Sequence, residues 1–262
     1  MGNLTPEEKE RFIHDLFTRI APRYDAMNLL MTAGMYRVWQ RRFRQIAALK
    51  GDEKVLDVGT GTGDLLLLLA PDLHRGGHIE GIDITERMLA LAEKKVAASP
   101  YASRITLTHG NALHMPYPDD TFDLVVSAFA LRNFAQLEKA LREMLRVTRP
   151  GGRVLLMELT QPPSPWVRVP FRFYFTRIVP LLGLGLPKDG PYGPYQWLPV
   201  SQAQHPGAEE MGRLLVKAGW EKVRYLYLTL GLVAIHEGRK PGQRSKEMGP
   251  AGPSPVFGGG LG

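Results

Sequence analysis

The chain has 262 residues, a net charge of +7 at pH 7 and a 44% share of hydrophobic residues, enough for one large domain with a substantial core. It has no cysteine, which excludes disulfides, thiolate zinc sites and cysteine nucleophiles. The start MGNLTPEEKERF is not a signal peptide, and no stretch approaches the roughly 18 apolar residues of a membrane span. These features favour a cytoplasmic protein, while the basic balance suits an anionic partner such as a membrane surface or nucleic acid.

Residues 1–50 are predicted to form a helical cap, interrupted at Ala21-Pro22 and at Gly34. The predicted strands cover 54–58, 78–84, 105–110, 122–130 and 153–159, with two more inside 224–240 about a turn at Gly231. The predicted helices between them cover 65–73, 86–98, 136–148 and 208–220. This alternation predicts an α/β fold: a seven-stranded, mostly parallel sheet with helices on both faces, over residues 51–240.

Two segments break the alternation. Residues 160–206 are rich in proline, glycine and aromatic residues, and residues 241–262 are rich in glycine and proline. The second segment is predicted to be a disordered tail.

A glycine-rich turn, DVGTGTGD, follows the first strand and contains Gly59 and Gly61. Glycines there allow a sharp turn and let backbone N–H groups approach a ligand at a helix N-terminus. A dinucleotide fingerprint would have a third glycine at position 64, where this chain has Asp64. Because a carboxylate would repel a pyrophosphate, NAD and FAD are disfavoured and a cationic or zwitterionic ligand fits better. Asp83 ends the second strand, where an acid can hold both hydroxyls of a ribose.

This glycine turn with its strand-end acid resembles the class I S-adenosylmethionine (AdoMet) methyltransferases. The resemblance implies a Rossmann-like fold and AdoMet as methyl donor, without a metal. Asn111-Ala112 then lie where this fold closes over the adenine, and an amide can pair with its exocyclic amine. For Asp57 two interpretations stay open: holding the loop through backbone N–H groups, or touching the ligand.

The fourth strand runs out into Leu131-Arg132-Asn133, where this fold holds its methyl acceptor. Without cysteine, cytosine C5-methylation through a thiolate adduct is excluded, and no acidic or amide residue followed by Pro-Pro-aromatic stands there for adenine N-methylation. An arginine beside an amide suits an oxyanion instead. A phenolate or enolate would carry negative charge that activates a ring carbon.

Four stretches carry a closer resemblance: RIAPRYDAMNLLM, FALRNF, RVTRPGGRVLLMEL and LGLVAIHEGRK. They resemble the menaquinone/ubiquinone biosynthesis C-methyltransferases over about Phe17 to Lys240. That family methylates a ring carbon of a polyprenylated quinol. Demethylmenaquinol is favoured over the benzoquinol precursor of ubiquinone, because a flat two-ring acceptor suits the aromatic segment. The alternatives are an O- or N-methyltransferase for another small molecule, or a basic AdoMet-binding protein that acts on RNA.

The resemblance also implies site residues. On the AdoMet side these are Thr62, Asp83, Asn111, Ala112 and Ala128. On the acceptor side they are Tyr24, Arg132 and Asn133. Arg132 is expected to stabilise the quinolate oxygen or to lower the pKa of a water that takes the proton, with an ion pair as the alternative. Asn133 would orient that oxygen or water, and Tyr24 would relay a proton or cap the polar edge of the ring unless it is simply a buried tyrosine.

Residues 160–206 are then expected to cover the acceptor. Tyr195 and His205 match the family pattern and are predicted to bind substrate. Two other roles stay open for His205: a general base, or a histidine that caps a loop. The run VRVPFRFYFTRIVPLLGLGLP interleaves arginines with apolar residues, which suits either a surface resting on an anionic bilayer or a helical lid. A homodimer is left open.

Overall fold

The computed structural model describes residues 4–179, 181, 196–242 and the backbone of 254–255. Its strands are β1 (Lys54–Val58), β2 (His78–Asp83), β3 (Ile105–His109), β4 (Phe122–Ala128), β5 (Thr148–Leu159), β6 (Glu221–Leu228), β7 (Val233–Arg239) and the two-residue β8 (Ser254–Pro255). The helices are α1 (Pro6–Ile20), α2 (Tyr24–Met31), α3 (Met35–Ala47), α4 (Asp64–Leu69), α5 (Glu86–Ala97), α6 (Leu137–Val147), α7 (Pro165–Phe173), α8 (Trp197–Gln204) and α9 (Ala208–Lys217).

One sheet contains all the strands, in the order β3-β2-β1-β4-β5-β7-β6-β8. The first five strands of the chain pair in parallel, and β7 lies antiparallel between β5 and β6. The carboxyl ends of β1 to β5 therefore share one edge. The strand order reverses between β1 and β4, and an open α/β sheet binds its ligands in the crevice at such a reversal.

The predicted architecture is confirmed, including the mostly parallel sheet and the two strands about Gly231. The cap helices are interrupted as expected, by a 3-10 turn at Ala21–Arg23 and by Gly34 in a left-handed conformation.

The structure places several helix and strand boundaries differently from the prediction. The helix predicted over 65–73 ends at Leu69 and continues as a 3-10 turn, Ala70–Asp72, because Pro71 has no N–H for the helical ladder. The strand predicted to reach residue 130 stops at Ala128, since Phe129 turns the chain with a φ of 59°. The strand predicted to begin at residue 153 begins at Thr148, directly after α6.

Apolar side chains fill the space on both faces of the sheet. On one face Trp39, Phe43 and Ala47 of α3 are buried against α4 and the strands. On the other face α6 and α9 enclose Trp220, which is fully buried. The cap is therefore joined to the main core through α3.

Residues 182–195, which include Tyr195, lie outside the described residues, as does most of the tail predicted over 241–262. Ser254–Pro255 pair with Arg224 and Tyr225 of β6. Within the described residues, no helix has both the length and the apolar character needed to cross a membrane.

We expect Phe43→Ala to lower the free energy of unfolding by about 3–5 kcal/mol, because it opens a cavity beneath the cap. Urea denaturation followed by circular dichroism measures this. Val38→Ala on the same helix is the matched control, since Val38 is half exposed and its truncation should change stability by about 0.5 kcal/mol or less. Equal effects of the two substitutions would show that α3 is not packed into the core in solution.

Candidate active site

The turn after β1 depends on glycine at two positions. Gly59 and Gly61 have φ angles of 76° and 55°, which side chains other than glycine rarely adopt. A Cβ at Gly59 would lie 2.5 Å from the Cβ of Ala130, whereas a Cβ at Gly61 would meet no atom within 4 Å. Gly61 therefore presents bare backbone to open space, as a closely approaching ligand requires.

Asp83 stands opposite this turn and is fixed by backbone donors. Gly61 N–H donates to its Oδ2 at 2.8 Å, and Thr85 N–H donates to its Oδ1 at 2.9 Å. Burial raises the pKa of Asp83, and these two hydrogen bonds act in the opposite direction. The carboxylate retains free lone pairs for a ligand hydroxyl.

Asp57, at the end of β1, is buried beneath the turn. The Thr60 hydroxyl donates to its Oδ2 at 2.7 Å. Burial raises the pKa of Asp57 to about 7, the Thr60 hydrogen bond opposes that shift, and the charge of Asp83 adds to it. The contact with Thr60 supports the loop-holding interpretation, while Asp57 also lines a recess of the pocket described next.

A pocket lies between the glycine turn, the ends of β2 and β4, and α1, and we call it the glycine-loop pocket. Eight predicted residues line it: Tyr24, Gly59, Gly61, Asp83, Asn111, Ala112, Ala128 and Asn133. The recess continues it past Thr62 and Asp64. Asn111 Oδ1 accepts from Leu113 N–H at 2.9 Å, so one of its lone pairs is already used.

Four polar side chains join the cap to the glycine turn. Thr62 Oγ1 donates to Asp25 of α2 at 2.6 Å. Lys95 of α5 binds both Asp25 and Asp64, at 2.5 and 2.6 Å. The carboxylates that border the recess thus outnumber the cations beside them. This excess of negative charge disfavours a phosphate and suits a positively charged ligand.

A second pocket lies under the cap, and we call it the cap pocket. Its walls come from α1, α2, α8 and the loop after β4, and they include Phe17, Met27, Met31, Trp197 and Leu198. Tyr24 lines the cap pocket, the glycine-loop pocket and its recess. The two pockets therefore meet at Tyr24, which is where the sequence predicts the acceptor end.

Arg132 lines the cap pocket and forms a buried ion pair, whose partner, Glu158, was not predicted from the sequence. Its Nη1 lies 2.5 Å from Oε1 of Glu158, at the end of β5, and both side chains are less than a tenth exposed. Nη1 also donates to Phe129 O at 2.8 Å. The Nε–H is buried without a partner. Arg132 thus forms an ion pair, and one of its donors has no hydrogen-bond partner.

Asn133 is oriented by the segment predicted to cover the acceptor. Trp197 Nε1 donates to Asn133 Oδ1 at 3.0 Å, so the amide oxygen already has a partner, and Asn133 lines both pockets. Lys9 of α1 donates to the carbonyl groups of Phe134 and Arg132, at 2.8 and 3.3 Å. The first helix and the segment after β5 therefore both bind this loop.

His205 lies at the C-terminus of α8, outside the lining of the cap pocket. Burial lowers its pKa, Glu158 opposes this, and Arg132 and Lys9 add to it. His205 is thus neutral near pH 7 and close enough to sense the buried pair. Its predicted contact with substrate stays a prediction, as does that of Tyr195.

The residues present fit AdoMet. The open space at Gly61, the anchored carboxylate of Asp83 and the acid-bordered recess match an adenosine that carries a cationic methionine. Within the described residues, no group of three histidine or acidic side chains is arranged to hold a metal.

Sheet order, glycine turn and strand-end acid together define a class I AdoMet-dependent methyltransferase. The profile of the ubiE/COQ5 methyltransferase family matches residues 5–240. The chain belongs to this family.

Curated relatives and a solved structure agree. A demethylmenaquinone methyltransferase from Symbiobacterium thermophilum is 41% identical over 90% of this chain and 95% of its own length. The ubiquinone/menaquinone biosynthesis C-methyltransferase UbiE from Geobacter sulfurreducens is 40% identical over 89% of this chain and 90% of its own length. The crystal structure of a SAM-dependent methyltransferase from Aquifex aeolicus has a TM-score of 0.57 at 22% identity, covering 76% of this chain and 88% of that one. This last likeness shows the fold.

We expect AdoMet to bind more tightly as the pH rises from 6 to 8, because the sulfonium favours the ionised form of Asp57, whose pKa is about 7. The gain should approach tenfold per pH unit below the pKa and level off above it. Titration calorimetry across this range, with S-adenosylhomocysteine as the uncharged-sulfur control, measures the difference. The difference should vanish in Asp57→Asn, and equal pH profiles for both ligands in the wild type would contradict the prediction.

Proposed function

We propose that this protein transfers the methyl group of AdoMet to a ring carbon of a prenylated quinol, with demethylmenaquinol as the acceptor. The observation that carries the proposal is the buried guanidinium of Arg132 in the wall of the cap pocket, with its Nε–H unpaired. An arginine held in this way is a fixed donor for an oxyanion. The names of both curated relatives support the same acceptor class.

The arrangement of the two pockets supports direct transfer. Bound AdoMet supplies an electrophilic methyl group on a sulfonium. The glycine turn and Asp83 would hold the adenosine in the glycine-loop pocket, and the apolar walls of the cap pocket would hold the ring. Tyr24 lines both, so donor and acceptor would face each other there, and alignment alone removes a large part of the barrier to a two-substrate reaction.

Arg132 and Asn133 would act on the acceptor oxygen. Negative charge on that oxygen increases electron density at the neighbouring ring carbon, which forms the new carbon–carbon bond. The electron pair of the breaking carbon–sulfur bond would stay on sulfur, and the ring proton would leave to water so that the ring regains its aromaticity. Preorganised donors in a site closed to solvent stabilise such an oxyanion strongly. Arg132 cannot be the base, because its guanidinium stays protonated.

Tyr24 would contribute a neutral hydroxyl. Burial raises the pKa of Tyr24, with Arg132 acting in the opposite direction, so the phenol stays protonated at neutral pH and can donate to the acceptor. Phe17 packs edge-on against it with ring centroids 5.9 Å apart. Aromatic walls from Phe17, Tyr24 and Trp197 suit a flat two-ring acceptor, which favours the naphthoquinol over the benzoquinol.

The cap, residues 1–50, and the segment 160–206 would together enclose the acceptor. A prenylated quinol partitions into lipid, so we also propose that the enzyme works in peripheral contact with an anionic membrane. A homodimer stays a prediction.

We expect the wild type to transfer labelled methyl groups from AdoMet to chemically reduced, short-chain demethylmenaquinone, and Arg132→Ala to lower kcat by about a hundredfold or more through loss of oxyanion stabilisation. The surface arginine variant Arg142→Ala is the matched control. The corresponding benzoquinol is assayed in parallel. Transfer to the benzoquinol alone would overturn the choice of ring, and transfer to neither by an enzyme that binds AdoMet would overturn the acceptor class.

We expect Glu158→Gln to lower kcat by about 10- to 100-fold while AdoMet affinity stays unchanged, because the guanidinium loses the charge that orients it. Glu158→Asp should recover part of the activity, and Glu138→Gln, on an exposed ion pair, is the control. Steady-state kinetics measures kcat, and titration calorimetry measures AdoMet affinity. A lower kcat with unchanged affinity separates the loss of guanidinium orientation from general unfolding. An unchanged kcat would mean that Arg132 needs no anchor.

A further inference from the structure

Large apolar side chains are exposed mainly at one end of the molecule. Nine are exposed among the described residues, and all but Leu4 fall in three segments: α2–α3, the stretch after β5, and the β6–β7 turn. The stretch after β5 exposes Trp166, Val169, Phe173, Ile178 and Leu181. Trp166 is 90% exposed, although an indole gains more from burial than almost any other side chain.

Contacts between the segments place them side by side. Trp39 Nε1 donates to Thr229 Oγ1 at 2.7 Å, which brings α3 against the β6–β7 turn. The Tyr174 hydroxyl donates to Met31 O at 2.9 Å, which brings the stretch after β5 against α2. Leu159, Val233 and Leu228 lie in register across the sheet, so the turn also adjoins the start of that stretch.

The turn itself displays an apolar side chain. Thr229 and Leu230 have φ angles of 48° and 56°, in the region that side chains other than glycine rarely adopt. Leu230 is 74% exposed at this position. An unfavourable backbone conformation here holds a leucine out in solvent.

The charge of these segments has one sign. Residues 26–51, 159–188 and 222–236 contain no aspartate or glutamate. Six exposed arginines, Arg37, Arg41, Arg42, Arg168, Arg172 and Arg177, lie there and form no ion pair within the described part of the chain. Elsewhere on the surface, arginines such as Arg142 and Arg213 pair with glutamates.

We propose that this surface, formed by residues 30–38, 165–179, 181 and 229–231 and called here the docking face, inserts into the interface of an anionic lipid bilayer. Apolar side chains interleaved with unpaired arginines match acyl chains beneath anionic headgroups. A second copy of this chain is disfavoured, because a symmetric contact would oppose arginine with arginine. Six of the eight exposed apolar side chains on this face are aliphatic and offer no stacking surface to the bases of a nucleic acid, whereas acyl chains accommodate them together with Trp166 and Phe173.

The docking face deepens the proposed function, on which its biological purpose rests. The cap pocket lies directly behind it, because Met27 and Met31 line the pocket and Tyr174 binds Met31 from the other side. A prenyl tail in the membrane and a ring in the cap pocket could then belong to one molecule. Docking itself depends only on the surface and can be tested without the reaction.

Trp166 is a built-in probe of docking. The other three tryptophans, Trp39, Trp197 and Trp220, are buried, so a change in exposed tryptophan emission reports on Trp166. We expect phosphatidylcholine vesicles that contain phosphatidylglycerol to shift the emission to the blue and to protect it from acrylamide. Brominated lipids should quench it. Trp166→Phe should lose these signals while the protein still sediments with the vesicles.

Paired variants separate the apolar and ionic contributions. Trp166→Ser/Phe173→Ser should weaken vesicle binding by about tenfold or more, whereas Leu4→Ser, the exposed apolar control away from the face, should not. Arg168→Gln/Arg172→Gln should remove the preference for anionic vesicles and its salt dependence. Arg75→Gln, on the loop before β2, is the matched control. None of these side chains lines the cap pocket or the glycine-loop pocket, so all of these variants should keep wild-type turnover of a short-chain acceptor in solution.

The outcomes distinguish the inference from the proposed function. Vesicle binding without methyl transfer to any quinol would overturn the function and keep the docking face. Methyl transfer without a lipid-dependent signal from Trp166 would overturn the docking face. An emission shift that follows protein concentration without lipid would assign the surface to a second copy, and one produced only by RNA would assign it to nucleic acid; either result overturns the bilayer.

Discussion

The site depends on the buried ion pair between Arg132 and Glu158. An unpaired charge at this depth would cost several kcal/mol, so neither residue is tolerable there alone. The pair can form because β4 and β5 are parallel neighbours with Ala128 opposite Met157, which sets the two residues at the same edge of the sheet. The left-handed turn at Phe129 then directs its carbonyl to Nη1 of Arg132. One guanidinium thus fixes the loop after β4 and still has a donor without a partner.

Other parts of the chain attach to this loop. Lys9, from the first helix, binds the carbonyl groups of Arg132 and Phe134. Trp197, from the segment after β5, binds Asn133. Lys9 loses solvation in doing so, since burial lowers its pKa, but its ammonium meets carbonyl oxygens that would otherwise lack donors. The enclosure of the cap pocket is therefore a consequence of contacts made to the loop, and elements distant in sequence meet at it.

Local patterns were sufficient to predict the fold and one side of the site. The glycine turn, Asp83 and the strand–helix alternation are each encoded within a few residues, and the sheet follows from the alternation. Arg132 and Asn133 were predicted at the acceptor because they end a strand at the expected edge. Glu158 was missed although it is a lone acid in the apolar run RVLLMEL. Its role comes from a neighbour 26 residues away, and no short-range pattern encodes that pairing.

The junction of Asp25, Thr62, Asp64 and Lys95 escaped prediction for the same reason. Asp64 was interpreted only as a residue that repels pyrophosphate, and the structure adds that it shares a lysine with the cap. Burial raises its pKa while Lys95 opposes the shift, so the charge at the recess is held in balance by a residue of α5. Because Asp25 belongs to α2, the same contacts join the cap to the core and set the charge around the glycine-loop pocket.

The net charge of +7 also gains a structural interpretation. Carboxylates gather where a cationic donor fits, at Asp57, Asp64 and Asp83, and they are absent from the three segments of the docking face. Basic residues are spread along the sequence, so the uneven distribution of charge over the molecule arises from the segments that lack aspartate and glutamate. A field arranged in this way attracts a cation to the interior and an anionic surface to the exterior. The same chain can therefore bind two oppositely charged partners without either competing for the other's site.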